Sequence, residues 1–466
     1  MTKNLFYSVF GILFLISTPL YAQSFIEDIL KEPIRKAITG SADIRIQEMT
    51  SNNTELDMEI AKGKRLPSLS FLGGYGFLYS QLSLQFPTQY LPISGTPFLE
   101  DPLASSFQTH VLMGGLSTRQ IIFAGNQINS GIKALEEKQK AERFLAEAGK
   151  EEIAKEVIQT FDQLMLLNAV DKLIEDSEKR LDTEHKKVLK AIDNGLAIPY
   201  DRDKIKLAVL ELEEKKLEAI GNRNVLLAKL AYLTRIPANE LKTITYNLQA
   251  FLIDEDALDV DNRAELKALA AGKKAKEFAY NKEKGTYFPT IFAFGNLTYL
   301  NAFDTRLKLK DVPLAGNVTL DTENITLEPA AAVGVGMKWD LFKGGENSKS
   351  AQKAEIEVEI IDTKLKDTRE KFELLLFKNK SDFKTAEQKV IVAKQRVQIA
   401  ENNLQLATKQ YNAGLVDLTE RLASENDFYK VNLNYYNQIL NQRHATLELL
   451  IATGELLGKI YNGYEN

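Results

Sequence analysis

Cysteine is absent from all 466 residues. That excludes disulfides, thiol catalysis and thiolate metal sites, and with them the lipid-modified cysteine of bacterial lipoproteins. Histidine occurs only at His110, His185 and His444, too scattered for metal-ligand spacing. Six methionines without a cysteine mark no soft-metal relay. Basic excess is also missing: 59 Lys and Arg stand against 64 Asp and Glu, a net charge of −5, so the footprint of a nucleic-acid partner is not there. Past the first two dozen residues, no run approaches the roughly 18 apolar residues of a transmembrane helix, so any membrane insertion has to use strands. What is present, 44% hydrophobic and 26% charged residues, fits an ordered, water-exposed protein.

The opening "MTKNLFYSVFGILFLISTPLYAQS" reads as a secretory signal over residues 1–22. Lys3 supplies the positive end, residues 5–16 the apolar core, and "LYA" before Gln23 the small-residue cleavage site. Export from a Gram-negative cell leads to the periplasm or the outer membrane.

The rest of the chain aligns with itself. "IIFAGN" (121–126) corresponds to "DLFKGG" (340–345), which pairs Phe123 with Phe342 at a shift of 219 (342 − 123). Thr234 in "LAYLTR" and Thr453 in "LLIATG" repeat that shift. "RLPSLSFLGGYG" matches "YFPTIFAFGNLT" through Pro67 and Pro289 at 222 (289 − 67), the difference lying in a loop. The reading is an internal duplication, residues 23–245 and 246–466.

Each copy has one grammar. A helical lead-in (42–65 and 262–284) ends at a proline. A segment rich in aromatic, β-branched and glycine residues follows, which predicts strands at about 68–82 and 288–302. Loops come next, at 86–102 and roughly 303–321, and then second strands at about 105–122 and 323–341. Helical hairpins are expected over 123–234, with a tip near 195, and over 343–453, with a tip near 414. From residue 123 to 195 an unbroken helix would run on the order of 108 Å. In the return arm, Ile205, Leu212, Ala219, Leu226 and Leu233 recur every seven residues, a coiled-coil-like seam.

Strands of this length and aromatic content suit an outer-membrane barrel. They suit a small soluble sandwich on helices as well. Four strands do not close a barrel, and open sheet edges cannot face lipid, where unpaired N–H and C=O groups find no water. Inserted strands therefore require several copies: two give eight strands, three give twelve.

The signal peptide, "RLPSLSF" and "YFPTIFAFG", the strand ending "MKWDLFKGG", and the tips "NGLAIPYD" and "YNAGLVDLTE" together resemble the TolC family of outer-membrane efflux proteins. The resemblance extends over nearly all of the mature chain and rests on the order and repetition of these segments. It implies a mainly α protein with a transmembrane β-barrel part: a homotrimer with a 12-stranded barrel, continued by a long α-helical tunnel in the periplasm. It also implies an outer-membrane location and a passive exit duct of a tripartite efflux or secretion system. The partners would be outer-membrane lipid, a periplasmic adaptor and an inner-membrane pump of the RND, ABC or MFS type, with no cofactor and no nucleic acid. An exit duct for type I protein secretion is the alternative, and a periplasmic structural or adhesive coiled-coil protein a more distant one.

By this resemblance the adaptor docks on Gly-Leu turns, here Gly195 and Leu196, and Gly414 and Leu415. Independently, glycine permits the tight turn and an exposed leucine offers an apolar anchor, though a helix stop with a packed leucine fits the same residues. Family gates close with polar side chains just past the turns. Six residues after each glycine stand Asp201 and Glu420, and Tyr411 matches a tyrosine that helps hold the closed state. Val416 and Ala423 depart from the pattern, occupying the places of a gating arginine and a second acid. Asp417, Arg421 and Arg202 offer alternative pairs or simply a solvated face. No catalytic arrangement emerges. "FLGGYG" lies inside a strand and "FKGGEN" at a strand-to-helix joint, so neither is a phosphate loop.

Overall fold

The computed structural model describes residues 26–84, 89–95, 97–99, 103–253, 258–312 and 315–461. The signal peptide expected over 1–22 lies outside the described residues. Two compact units emerge, one from Met1–Met49, Glu142–Ala268 and Leu365–Asn466, the other from Thr50–Ala141 and Leu269–Lys364. The helices are α1 (Lys31–Gly40), α2 (Ala42–Gly63), α3 (Gln127–Asp193), α4 (Pro199–Thr234), α5 (Ala238–Leu241), α6 (Ala264–Lys284), α7 (Glu346–Asn412), α8 (Leu418–Thr453) and α9 (Leu456–Tyr461). The strands are β1 (Ser68–Leu84), β2 (Gln89–Tyr90), β3 (Pro97–Leu99), β4 (Leu103–Ala124), β5 (Thr290–Val312) and β6 (Gly316–Lys338). Both α3 and α7 have 67 residues, and both α4 and α8 have 36. Among the described residues no helix is long and apolar enough to cross a membrane.

In the second unit, β1, β4, β5 and β6 form one antiparallel sheet in that order, with β2 and β3 a separate small ribbon. Side chains alternate between the faces of a strand, and directly paired residues share a face. Phe71 opposite Leu116, Leu116 opposite Leu297, and Gly295 opposite Val333 therefore lie on one face. That face also carries Leu69, Tyr75, Phe77, Val335 and Met337, and it is open: Phe71 is 72% and Val333 88% exposed. Its aromatic centre is held together by Tyr75 Oη at 2.7 Å from His110 Nδ1, with the His110 ring stacked on Phe303. The opposite face is mixed: Ser70, Ser117, Asn296 and Thr298 lie beside Leu72, Leu78, Met113, Leu300 and the adjoining rings of Phe292 and Phe294. There Ser70 bonds Ser117 and Thr109 bonds Thr305, each at 2.7 Å. A water-soluble sheet does not leave a face as apolar as that of Phe71 and Val333 open. Each large apolar side chain left in water forgoes about 1.5–3 kcal/mol, so the exposed face calls for an apolar surrounding.

The second hairpin departs from the expected 288–302 and 323–341. No long loop fills 303–321: β5 runs on to Val312 and β6 starts at Gly316. Alternation persists through Thr305, Leu307 and Leu309, and Arg306 Nε bonds Asp321 Oδ1 across the strands at 2.9 Å, so the ladder continues. The helices of this unit pair with one another. Gln139 on α3 donates to Ser51 O and Glu55 Oε2 of α2, while Lys273 and Lys276 on α6 pair with Asp362 and Glu357 of α7, both at 2.7 Å.

In the first unit, one core joins Leu30 and Ile34 of α1, Ile158 and Phe161 of α3, Leu230 of α4, Leu447 and Leu450 of α8, and Leu456 of α9. Arg443 sits in it almost fully buried, paired with Asp162 at 2.7 Å and Glu27 at 3.3 Å and lying over the Phe251 ring. Burial opposes its charge, but the two carboxylates outweigh that and hold the guanidinium more firmly protonated than usual. Tyr246 donates to Asp162 at 2.6 Å, and its phenol is pushed up by burial first and by that carboxylate second. A second core takes Ile174, Leu181 and Val188 of α3, Ile205 and Leu212 of α4, and Leu418 and Tyr429 of α8. The predicted seam holds for Ile205, Leu212 and Ala219 and then moves one residue, to Leu227, Leu230 and Thr234, leaving Leu226 and Leu233 partly buried. A straight α-helix drifts against a strict seven-residue repeat, and by the third step the drift shifts the buried position.

Candidate functional site at the helix turns

α3 and α7 end in the same way. Gly195 and Gly414 both have φ of 73°, a left-handed conformation that glycine adopts without cost. The amide of Leu196 donates to Ala191 O at 2.7 Å, and that of Leu415 to Gln410 O at 2.9 Å. These are the closing bonds of Schellman caps, which satisfy the last carbonyls of each helix. The leucines that follow stay in solvent, Leu196 at 83% and Leu415 at 75% exposed. They are not packed against the helices they end.

The starts of the return helices differ. Asp417 caps α8, its carboxylate accepting from the Glu420 amide at 2.9 Å, and Glu420 points into solvent. α4 has Ile198 at the matching place and Pro199 at its first position, so the cap comes from inside: Asp201 accepts from the Ile198 amide at 3.4 Å. The equivalent acids therefore do different local work. Arg202 bonds its neighbour Asp203, at 2.8–2.9 Å on the surface. Val416 is half-buried and Ala423 exposed.

Behind the turns lies a clasp that sequence reasoning missed, apart from Arg421. Glu425 of α8 is buried. It accepts from Ser177 Oγ at 3.0 Å and from Arg180 Nε at 2.9 Å, both on α3, and pairs with Arg421 Nη1 at 3.1 Å. One carboxylate thus serves two guanidinium groups across two helices. Glu184 of α3, also buried, pairs with Lys187 at 3.3 Å, and Lys187 reaches Asn412 Oδ1 at 3.4 Å near the end of α7. Lys204 of α4 bonds Thr419 of α8 at 2.7 Å. Tyr411 is half-buried; burial raises its phenol first, the carboxylates of Glu184 and Asp201 add to this, and Arg421 opposes them. Asp201, Tyr411 and Arg421 therefore share one field with Glu184, while Glu420 stays outside it. Charges on a helix are too common for Arg180 and Glu425 to stand out in sequence. Only the packing of α3 on α8 singles them out.

A sheet with an exposed apolar face, in a chain whose longest helices run 67 residues, suits a fold whose strands insert in a membrane. Residues 260–455 match the family of outer membrane efflux proteins. No curated protein matches the chain. Among solved structures, the VceC outer membrane protein of Vibrio cholerae is similar at a TM-score of 0.66 and 16% identity, over 91% of this chain and 96% of that one. The CmeC outer membrane channel of Campylobacter jejuni gives 0.68 at 13% identity, over 100% and 95%. The open state of the MtrE outer membrane channel of Neisseria gonorrhoeae gives 0.65 at 13%, over 92% and 89%. At these identities the likeness is one of fold.

Proposed function

We propose that three copies of this chain close a 12-stranded barrel in the outer membrane, and that their helices form a periplasmic tunnel serving as the passive exit duct of a tripartite export system. The observation that carries this reading is the sheet: among the described residues its edges β1 and β6 have no strand beside them, while its apolar face lies open. Lipid accepts such a face but not such edges, and closure with further copies satisfies both demands. On this reading the repeats 23–245 and 246–466 alternate around the ring. The turns at Gly195–Leu196 and Gly414–Leu415 present six leucines to a periplasmic adaptor, which couples the duct to an inner-membrane pump. Asp201, Tyr411, Asp417, Glu420 and Arg421 form the gate region, where carboxylates repeated by threefold symmetry favour cations.

The experiment replaces Leu196 and Leu415 together with glutamate. Adaptor crosslinking is expected to disappear and drug sensitivity to rise, while the oligomer persists. Unchanged crosslinking would remove the turns from the docking surface.

A further inference from the structure

The two repeats correspond at the helix ends of the sheet unit, where constant shifts relate them. α2 starts at Ala42 and α6 at Ala264, a shift of 222 (264 − 42) that also relates Gly63 to Gly285. α3 starts at Gln127 and α7 at Glu346, a shift of 219 (346 − 127) that relates Gly125 to Gly344. The strand pairing obeys both shifts from Ser68 opposite Arg119, which becomes Thr290 opposite Lys338, to Gly76 opposite Val111, which becomes Thr298 opposite Ala330; a bulge then changes the register.

One seam has no counterpart within the chain. β4 pairs with β5 as far as Phe123 opposite Ile291 and Ala124 opposite Thr290. β6 ends instead at Lys338, although Lys343 is the equivalent of Ala124, so residues 339–343 are not strand. The joint beside this seam is likewise filled once and empty once. A Cβ on Gly125, whose φ is 57°, would collide with the Gly285 carbonyl and lie 2.9 Å from Phe288 Cβ. Gly344, with φ of 58°, and Gly63 have nothing within 4 Å of theirs. Two half-sites that fit each other in one repeat stand open in the other.

We infer that the next copy of the chain completes them: β6 of one copy pairs antiparallel with β1 of the next, Phe342 opposite Leu69, and Gly344 seats on Gly63 of that next copy. The register follows from the internal seam by the two shifts. Gln120 opposite Ala293 becomes Trp339 opposite Phe71, and Thr118 opposite Gly295 becomes Met337 opposite Gly73. Strand alternation supports it, since Met337, Phe71 and Gly73 all belong to the exposed apolar face and Trp339 continues that series. Residues 339–343 thereby become strand on assembly. The inference rests on the three-copy reading and adds to it the register and the residues of the contact.

The absence of cysteine makes the test clean. The pair Phe342→Cys and Leu69→Cys, in the full chain in its membrane, is expected to form disulfide-linked dimers and trimers on mild oxidation. Phe342→Cys with Gly73→Cys, four residues out of register, is expected to stay unlinked because the sulfurs lie beyond disulfide reach. In parallel, Gly63→Val meets nothing within its own chain but would crowd the joint between copies. Its detergent-resistant trimer is expected to fall about tenfold with helix content unchanged. Trimers of the cysteine variants that link only in the four-residue-shifted pair overturn the register and leave the three-copy reading intact. Full trimer recovery in Gly63→Val overturns the glycine joint. A wild-type chain that is monomeric overturns the three-copy reading itself.

Discussion

Glu151 on α3 holds a carboxyl group with little access to water. Burial raises its pKa to about 7, and the nearby carboxylate of Glu265 adds to this against a hydrogen bond from the Leu457 amide and the charge of Arg263. A carboxyl group whose pKa is higher in the fold than in the unfolded chain stabilises when protonated. Its contribution is complete below about pH 4.5 and is lost as pH rises through about 7. Glu151→Gln keeps an acceptor for Leu457 without the charge, so it is expected to raise stability at pH 8 by roughly 1–3 kcal/mol and to change little at pH 4.5. Denaturant midpoints at the two pH values check this, and an equal effect at both would contradict it. No sequence pattern marks Glu151, because its state depends on neighbours brought in from α6, α9 and the segment before α6. Gly195 and Gly414 are the opposite case. A glycine ending a long helical pattern states its own backbone conformation, and φ of 73° at both is the result.

At the scale of elements, periodicity carried the helices and composition the strands, and both failed where pairing decided. The lead-ins, arms and turns were legible because glycine, proline and seven-residue spacing act locally. The loop expected over 303–321 was a misreading of polar residues that a hairpin ladder accommodates, as the Arg306–Asp321 pair shows. Likewise the clasp of α3 on α8 was legible only through Arg421; its centre, Glu425, was not. That clasp gives a prediction. Glu425→Gln leaves Arg180 and Arg421 close together without a countercharge, and removing one partner of a buried pair costs about 3–5 kcal/mol, less here because Arg180 is one-third exposed. Hydrogen exchange in 174–188 of α3 and 418–429 of α8 is expected to quicken by at least about tenfold, with the sheet unit unaffected. Unchanged protection there would show that the apolar contacts of Ile174, Leu181 and Tyr429 hold the two helices without the clasp.

At the scale of the whole molecule, the chain has the fold of outer-membrane channels and carries a sheet that is unfinished by itself. Its apolar face and its two edges ask for different surroundings, lipid for one and further strands for the other. Counting strands in the sequence already set that requirement, because four cannot close and lipid tolerates no edge. The copy number is where the account stands or falls, since the barrel, the six leucines and the seam at Phe342 all depend on it. The most direct measurement is the mass of the detergent-solubilised particle extracted from outer membranes, by native mass spectrometry of the wild-type chain. The account predicts three copies per particle. A monomer, or any closed assembly of another number, would contradict it.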